Sequence, residues 1–286
     1  MPVKLLADSG SDLPLQFLKE NNIKLFPLKV LLKEQEYEDL ITIEPKTIYT
    51  AIRNGEVPKT SQVSPALFEK TFTKMAESHE EGVYLTFSSQ LSGTYQTAVM
   101  MRDQVKQTYP DFNLAIIDTK CASLGQGLVV IDTLNYAKTG ASLEEITKRA
   151  QFVSSHMEHL FTVDDLDYLA KGGRVSKASA FLGGLLSIKP LLNVEDGKLV
   201  PLEKIRGRKK VLRRMIEVIR ERGVELENQT VGISHADDLE TAMEMKKLIQ
   251  EELHVKEVMI TDVGAVIGSH TGPGTIAIFF LNELNK

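Results

Sequence analysis

The stretch Val83-Tyr84-Leu85-Thr86-Phe87-Ser88-Ser89-Gln90-Leu91-Ser92-Gly93-Thr94 decides the architecture. Val83 to Phe87 is an apolar run of β-favouring residues and reads as a strand. A hydroxyl-rich loop follows, and Thr94 to Thr108 reads as a helix. The same order recurs on both sides. Val3 to Ala7 reads as a strand, followed by Asp8-Ser9-Gly10-Ser11-Asp12 and a helix. Leu114 to Ile117 is a third strand, followed by Asp118-Thr119 and an apolar helix from Ser123 to Lys138. Strand, polar loop and helix in repetition predict a parallel sheet with helices on both faces. Ser142 and Glu145 form a capping box that opens a further helix ending near Met157.

Beyond about residue 158 the pattern changes. Leu160 to Val163 reads as a strand, and Asp164 to Ala170 as a helix stopped by Gly172-Gly173. Leu191 to Val194 and Leu199 to Leu202 flank Glu195-Asp196-Gly197-Lys198, and Asp-Gly between apolar runs is a strong hairpin signal. A basic helix near Lys209 to Arg222, a strand Thr230 to Ser234 and a helix Leu239 to Leu253 come next. Two last strands, near Val258 to Thr261 and Ile276 to Leu281, surround a glycine-rich turn. A hairpin among helices implies a mixed sheet. The expectation is an α/β protein of two domains. Residues 1–158 would form an N-terminal parallel sheet with helices on both faces, and residues 159–286 a C-terminal mixed α/β domain.

The 286 residues suit two domains of ordinary size, and 42% hydrophobic with 26% charged residues is a globular balance. A net charge of -5 gives the whole molecule no pull toward nucleic acid or anionic lipid. The single Cys121 excludes an intramolecular disulfide and a cysteine-based zinc site. The start, MPVKLLADSGSD, lacks the apolar run of a signal peptide. No apolar segment reaches the ~18 residues that span a membrane, so the expected location is the cytoplasm.

Three stretches rich in hydroxyls or glycine are the candidate sites. In Lys59-Thr60-Ser61-Gln62-Val63-Ser64-Pro65, Ser64 and Pro65 read as a helix cap and first helical residue, which leaves Thr60 and Ser61 unexplained. The loop Ser88 to Gly93 lies between a strand end and a helix start, where α/β sheets form their binding crevice. Hydroxyls and free backbone N–H groups there suit an anion. In Ser269-His270-Thr271-Gly272-Pro273-Gly274, glycine permits close backbone approach and His270 can donate or accept a hydrogen bond. Each stretch alone also reads as ordinary capping or turn chemistry.

Tests for independent catalysis mostly fail. There is no P-loop, no G-x-S-x-G elbow and no H-E-x-x-H. Gly125-Gln126-Gly127 lacks the third glycine of a dinucleotide fingerprint. His156 and His159 look metal-like but read as surface residues, so no metal site is expected. Asp12 reads as a helix N-terminal residue. The basic run Lys204, Arg206, Arg208, Lys209, Lys210, Arg213, Arg214 reads as a solvated helix face or a docking patch. Arg174, after the double glycine, reads as a helix C-terminal cation or an exposed recognition residue.

Together these pieces resemble the DegV family, which includes the fatty-acid-binding subunits of bacterial fatty acid kinase. The matching features are Asp8-Ser9, Thr60-Ser61-Gln62, Leu91 to Tyr95, Leu166 to Arg174, Ile188-Lys189-Pro190 and His270 to Gly274. They run from the first strand to the last. Val63 departs from the family's usual proline and Ala277 from a common glycine. The resemblance implies a ligand tunnel between the domains holding a long-chain fatty acid. Its carboxylate would lie near Thr60, Ser61, Ser92, Gly93 and His270. Hydroxyls and a backbone N–H donate to an acceptor-only carboxylate, so that chemistry is self-consistent. No cofactor and no catalytic residue are implied. The partner would be an ATP-dependent kinase subunit that forms the acyl phosphate, docking at Arg174 and Arg206. Nucleic acid is not expected as a partner, and membrane contact at most transiently.

Two rivals stand beside this reading. One is a lipid-binding regulatory protein without a kinase. The other is an independent hydrolase or phosphotransferase using Asp8, Ser9 and Cys121. Phe26, Phe181, Leu182 and Leu185 could contribute to a tunnel wall, though apolar residues are more often plain core.

Overall fold

The computed structural model of the chain describes residues 3–175 and 188–284. Its first half runs β1 (Lys4–Asp8), α1 (Leu15–Glu20), β2 (Lys24–Phe26), β3 (Lys29–Leu32), β4 (Gln35–Glu38), α2 (Pro45–Arg53) and β5 (Lys59–Ser61). It continues through α3 (Pro65–Glu77), β6 (Gly82–Thr86), α4 (Thr94–Thr108), β7 (Leu114–Asp118), α5 (Leu124–Ala137) and α6 (Leu143–Ser155). Four strands form a fully parallel sheet in the order β2-β1-β6-β7. Alternation along the strands supplies two cores, because successive side chains point to opposite faces. Leu5, Ala7, Val83 and Leu85 face one cluster with α5 and α6. Leu6 and Tyr84 face another, with Phe68 and Phe72 of α3 and Met101 of α4. Helices therefore cover both faces, as the repeated strand–loop–helix order predicts.

A second, three-stranded antiparallel sheet, β4-β3-β5, was not foreseen. Its hairpin turns at Lys33-Glu34, both left-handed with φ of 50 and 64°. Such turns usually carry Asn or Gly, so Lys-Glu gave no turn signal. The consequence matters for the site. Thr60 and Ser61 lie on a strand, β5, rather than in a loop, and Thr60 pairs with Val30.

The second half holds β8 (Met157–Thr162), α7 (Leu166–Lys171), β9 (Ile188–Glu195), β10 (Lys198–Arg206), α8 (Arg208–Arg222) and β11 (Thr230–His235). It ends with α9 (Leu239–Leu253), β12 (Glu257–Asp262), α10 (Ala265–Thr271) and β13 (Ile276–Leu281). The sheet order is β10-β9-β8-β13-β11-β12, antiparallel except for β11 with β12. The Asp196-Gly197 turn of the β9–β10 hairpin has positive φ at both residues, as its sequence implies. Ile276, Ile278 and Phe280 of β13 pack toward α8 and α9. Ala277 and Phe279 point the other way, into the same core as α5 and the parallel sheet. The two sheets are thus joined through α5. The division proposed near residue 158 falls at the start of β8.

Between β12 and β13 the expected turn contains a helix. In α10, Gly268 is not a turn residue: a Cβ there would meet the Tyr49 ring at 2.7 Å. Close packing, not backbone freedom, accounts for that glycine. The helix stops at Gly272, whose φ is 75°.

Candidate functional site

A cavity of about 350 Å³ lies where β5, the β6–α4 loop, α10 and the inner face of the second sheet meet. Thr60, Ser61, Ser92, Gly93 and His270, drawn from three separate stretches of sequence, all line it. The β5 pairing aims Thr60 at α10, where Thr60 Oγ1 and His270 Nε2 lie 2.7 Å apart. Ser92 accepts from the Thr94 N–H at 3.3 Å, and its hydroxyl lies 2.9 Å from that of Thr94. Gly93 is the cap residue of α4, at the open start of the helix. A Cβ on Gly93 would meet Gln62 Oε1 at 2.2 Å. Gln62 is held there by donating to Thr97 Oγ1 at 2.7 Å. Glycine therefore lets β5 and α4 close on one another at the polar end of the cavity.

His270 is on the last turn of α10 rather than in a loop. Burial holds its pKa down to about 4, helped by the nearby Arg174 charge and opposed by a hydrogen bond to the Gly172 backbone. Arg174 is exposed and lines the cavity, donating to the Gly172 carbonyl at 2.8 Å. Arg206 ends β10, is exposed, and is not among the lining residues.

The remaining lining is mostly apolar, including Leu28, Leu91, Phe161, Val194, Leu199 and Phe279. Ala277 is there too, with 7% exposure. Phe26 is not. It is fully buried in the ring cluster with Phe68, Phe72 and Tyr84, at centroid distances of 4.6, 5.8 and 5.0 Å. Phe181, Leu182 and Leu185 lie outside the described residues.

His159 corrects the sequence reading. It is buried at the cavity wall, not on the surface. Its Nε2 accepts from the Ala122 N–H at 3.2 Å, its Nδ1 faces the Met157 carbonyl at 3.0 Å, and its ring stands edge-on to Phe279. Burial lowers its pKa to about 4, so it is a neutral ring with both nitrogens engaged. Strand alternation in β8 places His159 on the face of Phe161, and that was the signal available in the sequence. Gln62, next to Thr60 and Ser61 in sequence, is a further polar lining residue whose position carries no local signal of its own.

The trio for an independent enzyme does not form an open site. Asp8 and Ser9 have no exposure and Cys121 has 1%. Asp8 accepts from Gly10 N, Phe87 N, Tyr84 Oη and Gln126 Nε2. Burial still pushes its pKa up to about 6. Burial also pushes the Cys121 thiol well above its usual range, the opposite of an activated thiolate. Asp12 is not a helix N-terminal residue of the helix that follows it. It is left-handed, buried, and accepts from the Ser123 hydroxyl and from the Gly264 N–H at the start of α10.

The basic run divides. Arg208 bridges Asp164 and Asp238, Arg213 pairs with Glu252, and Arg214 with Glu203, Glu217 and Glu221. Much of that charge is neutralised locally. Among the described residues no group of three or more His, Cys, Asp or Glu could hold a metal ion, and no helix is long and apolar enough to cross a membrane.

A family profile described as "Uncharacterised protein, DegV family" matches residues 2–283. A DegV domain-containing protein of Clostridium perfringens is 40% identical over 285 residues, covering 99% of this chain and 98% of that one. A protein of Thermotoga maritima named fatty acid-binding protein is 36% identical, covering 96% of each. The solved structure of a fatty-acid-binding DegV family protein from Thermus thermophilus superposes with a TM-score of 0.88 at 31% identity. It covers 98% of this chain and 99% of that one.

Proposed function

The chain belongs to the DegV family, and from that premise we propose that it binds a long-chain fatty acid in the cavity between its sheets and presents the carboxylate to a separate kinase. The observation that carries this reading is the polarity of the cavity. Hydroxyls, an open helix N-terminus and an imidazole gather at one end, and the rest is mostly apolar. A carboxylate needs donors, and an alkyl tail needs only dry surface. Its volume of about 350 Å³ falls in the range of small-molecule sites, about 300–1,000 Å³. Each buried methylene contributes ~0.8 kcal/mol, so about fifteen give roughly 12 kcal/mol gross before the costs of association. Retention through purification follows.

The kinase would supply ATP and metal and form the acyl phosphate, and this chain would supply the held carboxylate. Arg206 is the cleaner docking candidate, because it is exposed and away from the cavity; Arg174 touches both. Denaturing extraction and mass spectrometry of recombinant protein should release fatty acid. Protein that is empty and also refuses added fatty acid would sink the reading. R206E should keep the lipid yet lower acyl-phosphate formation by the source cell's kinase. Lipid loss in R206E would refute its docking role.

A further inference from the structure

The backbone does not explain why residue 93 is a glycine. Its φ of -75° and ψ of 2° are values that residues with side chains adopt freely in turns. What glycine supplies is space, because a Cβ there would meet Gln62 Oε1 at 2.2 Å. The Gln62 amide therefore lies directly against the first turn of α4. Its other end is fixed, with Nε2 donating to Thr97 Oγ1 at 2.7 Å. Thr97 stands one helical turn beyond Gly93, is only 7% exposed, and is not among the residues that line the cavity. Its N–H donates to the Gly93 carbonyl at 3.0 Å, so anchor and contact belong to one closed turn. Val63, the next residue after Gln62, reaches the same turn, its N–H 3.5 Å from Thr94 Oγ1.

Thr60 and Gln62 both line the cavity, at the end of β5 and just past it. Thr60 meets His270 of α10, and Gln62 meets Thr97 of α4. This short segment is thus tied by a side-chain hydrogen bond to each of the two helices that bound the polar end. With both ties made, the space beside Gly93 is closed by the Gln62 amide rather than left open to a ligand.

We propose that Gln62, anchored by Thr97, is a positioning residue that sets the width of the head-group space, so that it admits a flat carboxylate and shuts out tetrahedral anions. This rests on the fatty-acid reading and deepens it by naming the head group that the site accepts. A carboxylate presents two acceptor oxygens in one plane, and the Thr60 and Ser92 hydroxyls with the Gly93 N–H are enough to serve them. A sulfonate or phosphonate presents three oxygens around a tetrahedral centre. The third oxygen enters the space that the Gln62 amide holds. Discrimination of this kind comes from volume, since a carboxylate and a sulfonate each carry one negative charge at neutral pH. Forcing extra atoms into a packed site has a cost that corresponds to roughly ten- to a hundredfold in affinity.

Titration calorimetry on delipidated protein tests this with dodecanoate and the alkanesulfonate that has the same alkyl tail. The unmutated protein should prefer dodecanoate by roughly ten- to a hundredfold. Q62A opens the space beside Gly93, so it should bind the sulfonate more tightly than the unmutated protein does and cut the preference by about tenfold. T97V removes the anchor without altering any residue that lines the cavity, and should move the preference in the same direction. A role confined to stability would instead weaken both ligands by one common factor and leave their ratio unchanged. Equal affinity of the unmutated protein for the two ligands overturns the proposal. A ratio unchanged in Q62A overturns the role of Gln62, and a ratio unchanged in T97V overturns the anchoring by Thr97. Should Q62A not fold, the unmutated protein and T97V decide between these outcomes. Failure of the unmutated protein to bind dodecanoate at all would overturn the fatty-acid reading itself.

Discussion

Asp8 accepts four hydrogen bonds and is still hard to ionise, while His159 is hard to protonate. Both effects come from burial, and their linkage signs oppose. Asp8 moves from 3.8 to about 6, so the folded state holds its proton more tightly. Its contribution is greatest below pH 3.8 and is lost as pH rises through 6. His159 moves from 6.5 to about 4, so its contribution is present above 6.5 and lost as pH falls toward 4. Each spans about 3 kcal/mol at ~1.36 kcal/mol per pH unit. Between pH 4 and 6.5 they largely offset. D8N removes the Asp8 contribution alone. Urea denaturation should then show the variant losing about 3 kcal/mol more than the parent between pH 6.5 and 4. Parallel pH profiles would contradict the assignment. At this scale the sequence was legible where a residue broke a local rule. Thr60 and Ser61 stood outside the cap that explains Ser64. His159 was misread because it was assigned to a helix end, although β8 begins at Met157 and alternation sets His159 on the buried face with Phe161.

Long periodic elements such as α9, and hairpins with an Asp-Gly turn, were readable because local chemistry determines them. The short elements were not. β3 and β4 are four residues each and turn on Lys-Glu. α10 has seven residues, and its glycines suggested a turn. Its helical form depends on distant partners: Asp12 and Asp39 cap its start, and Tyr49 packs on Gly268. Those contacts come from elements far away in sequence, so no local window contains them. They also make α10 a rigid carrier for His270. G268A tests this, because its methyl would stand 2.7 Å from the Tyr49 ring. Overpacking of this kind costs ~1–3 kcal/mol. Moving α10 away from α2 also disturbs the His270–Thr60 contact. The expected outcome is a lower denaturation midpoint together with weaker fatty-acid binding. A midpoint shift with unchanged binding would show that α10 tolerates displacement.

In the whole molecule, one core cluster serves both the parallel sheet and the inner face of the mixed sheet, with Leu124, Leu128, Phe161, Leu192 and Phe279 among its members. The cavity lies beside this shared core. Its walls come from β5, α10 and the β9–β10 hairpin, and polar contacts across the cavity join them to the other half of the chain. Ser88 Oγ donates to the Gly197 carbonyl at 2.8 Å, and Thr60 meets His270. The central strands β1 and β6 are instead buried in continuous apolar contact. A ligand spanning the cavity adds apolar contact to its walls, which face it with Leu28, Val194, Leu199 and Val266. Binding to the folded state alone stabilises it by ~2.7 kcal/mol when free ligand is at 100 times its dissociation constant. That gain should be local as well as global. Delipidation should lower the midpoint of thermal unfolding. Hydrogen exchange should quicken in β5, α10 and residues 188–206, while β1 and β6 keep their protection. Uniform loss of protection would show instead that the two sheets open as one cooperative unit, and that the ligand stabilises the shared core rather than the cavity walls.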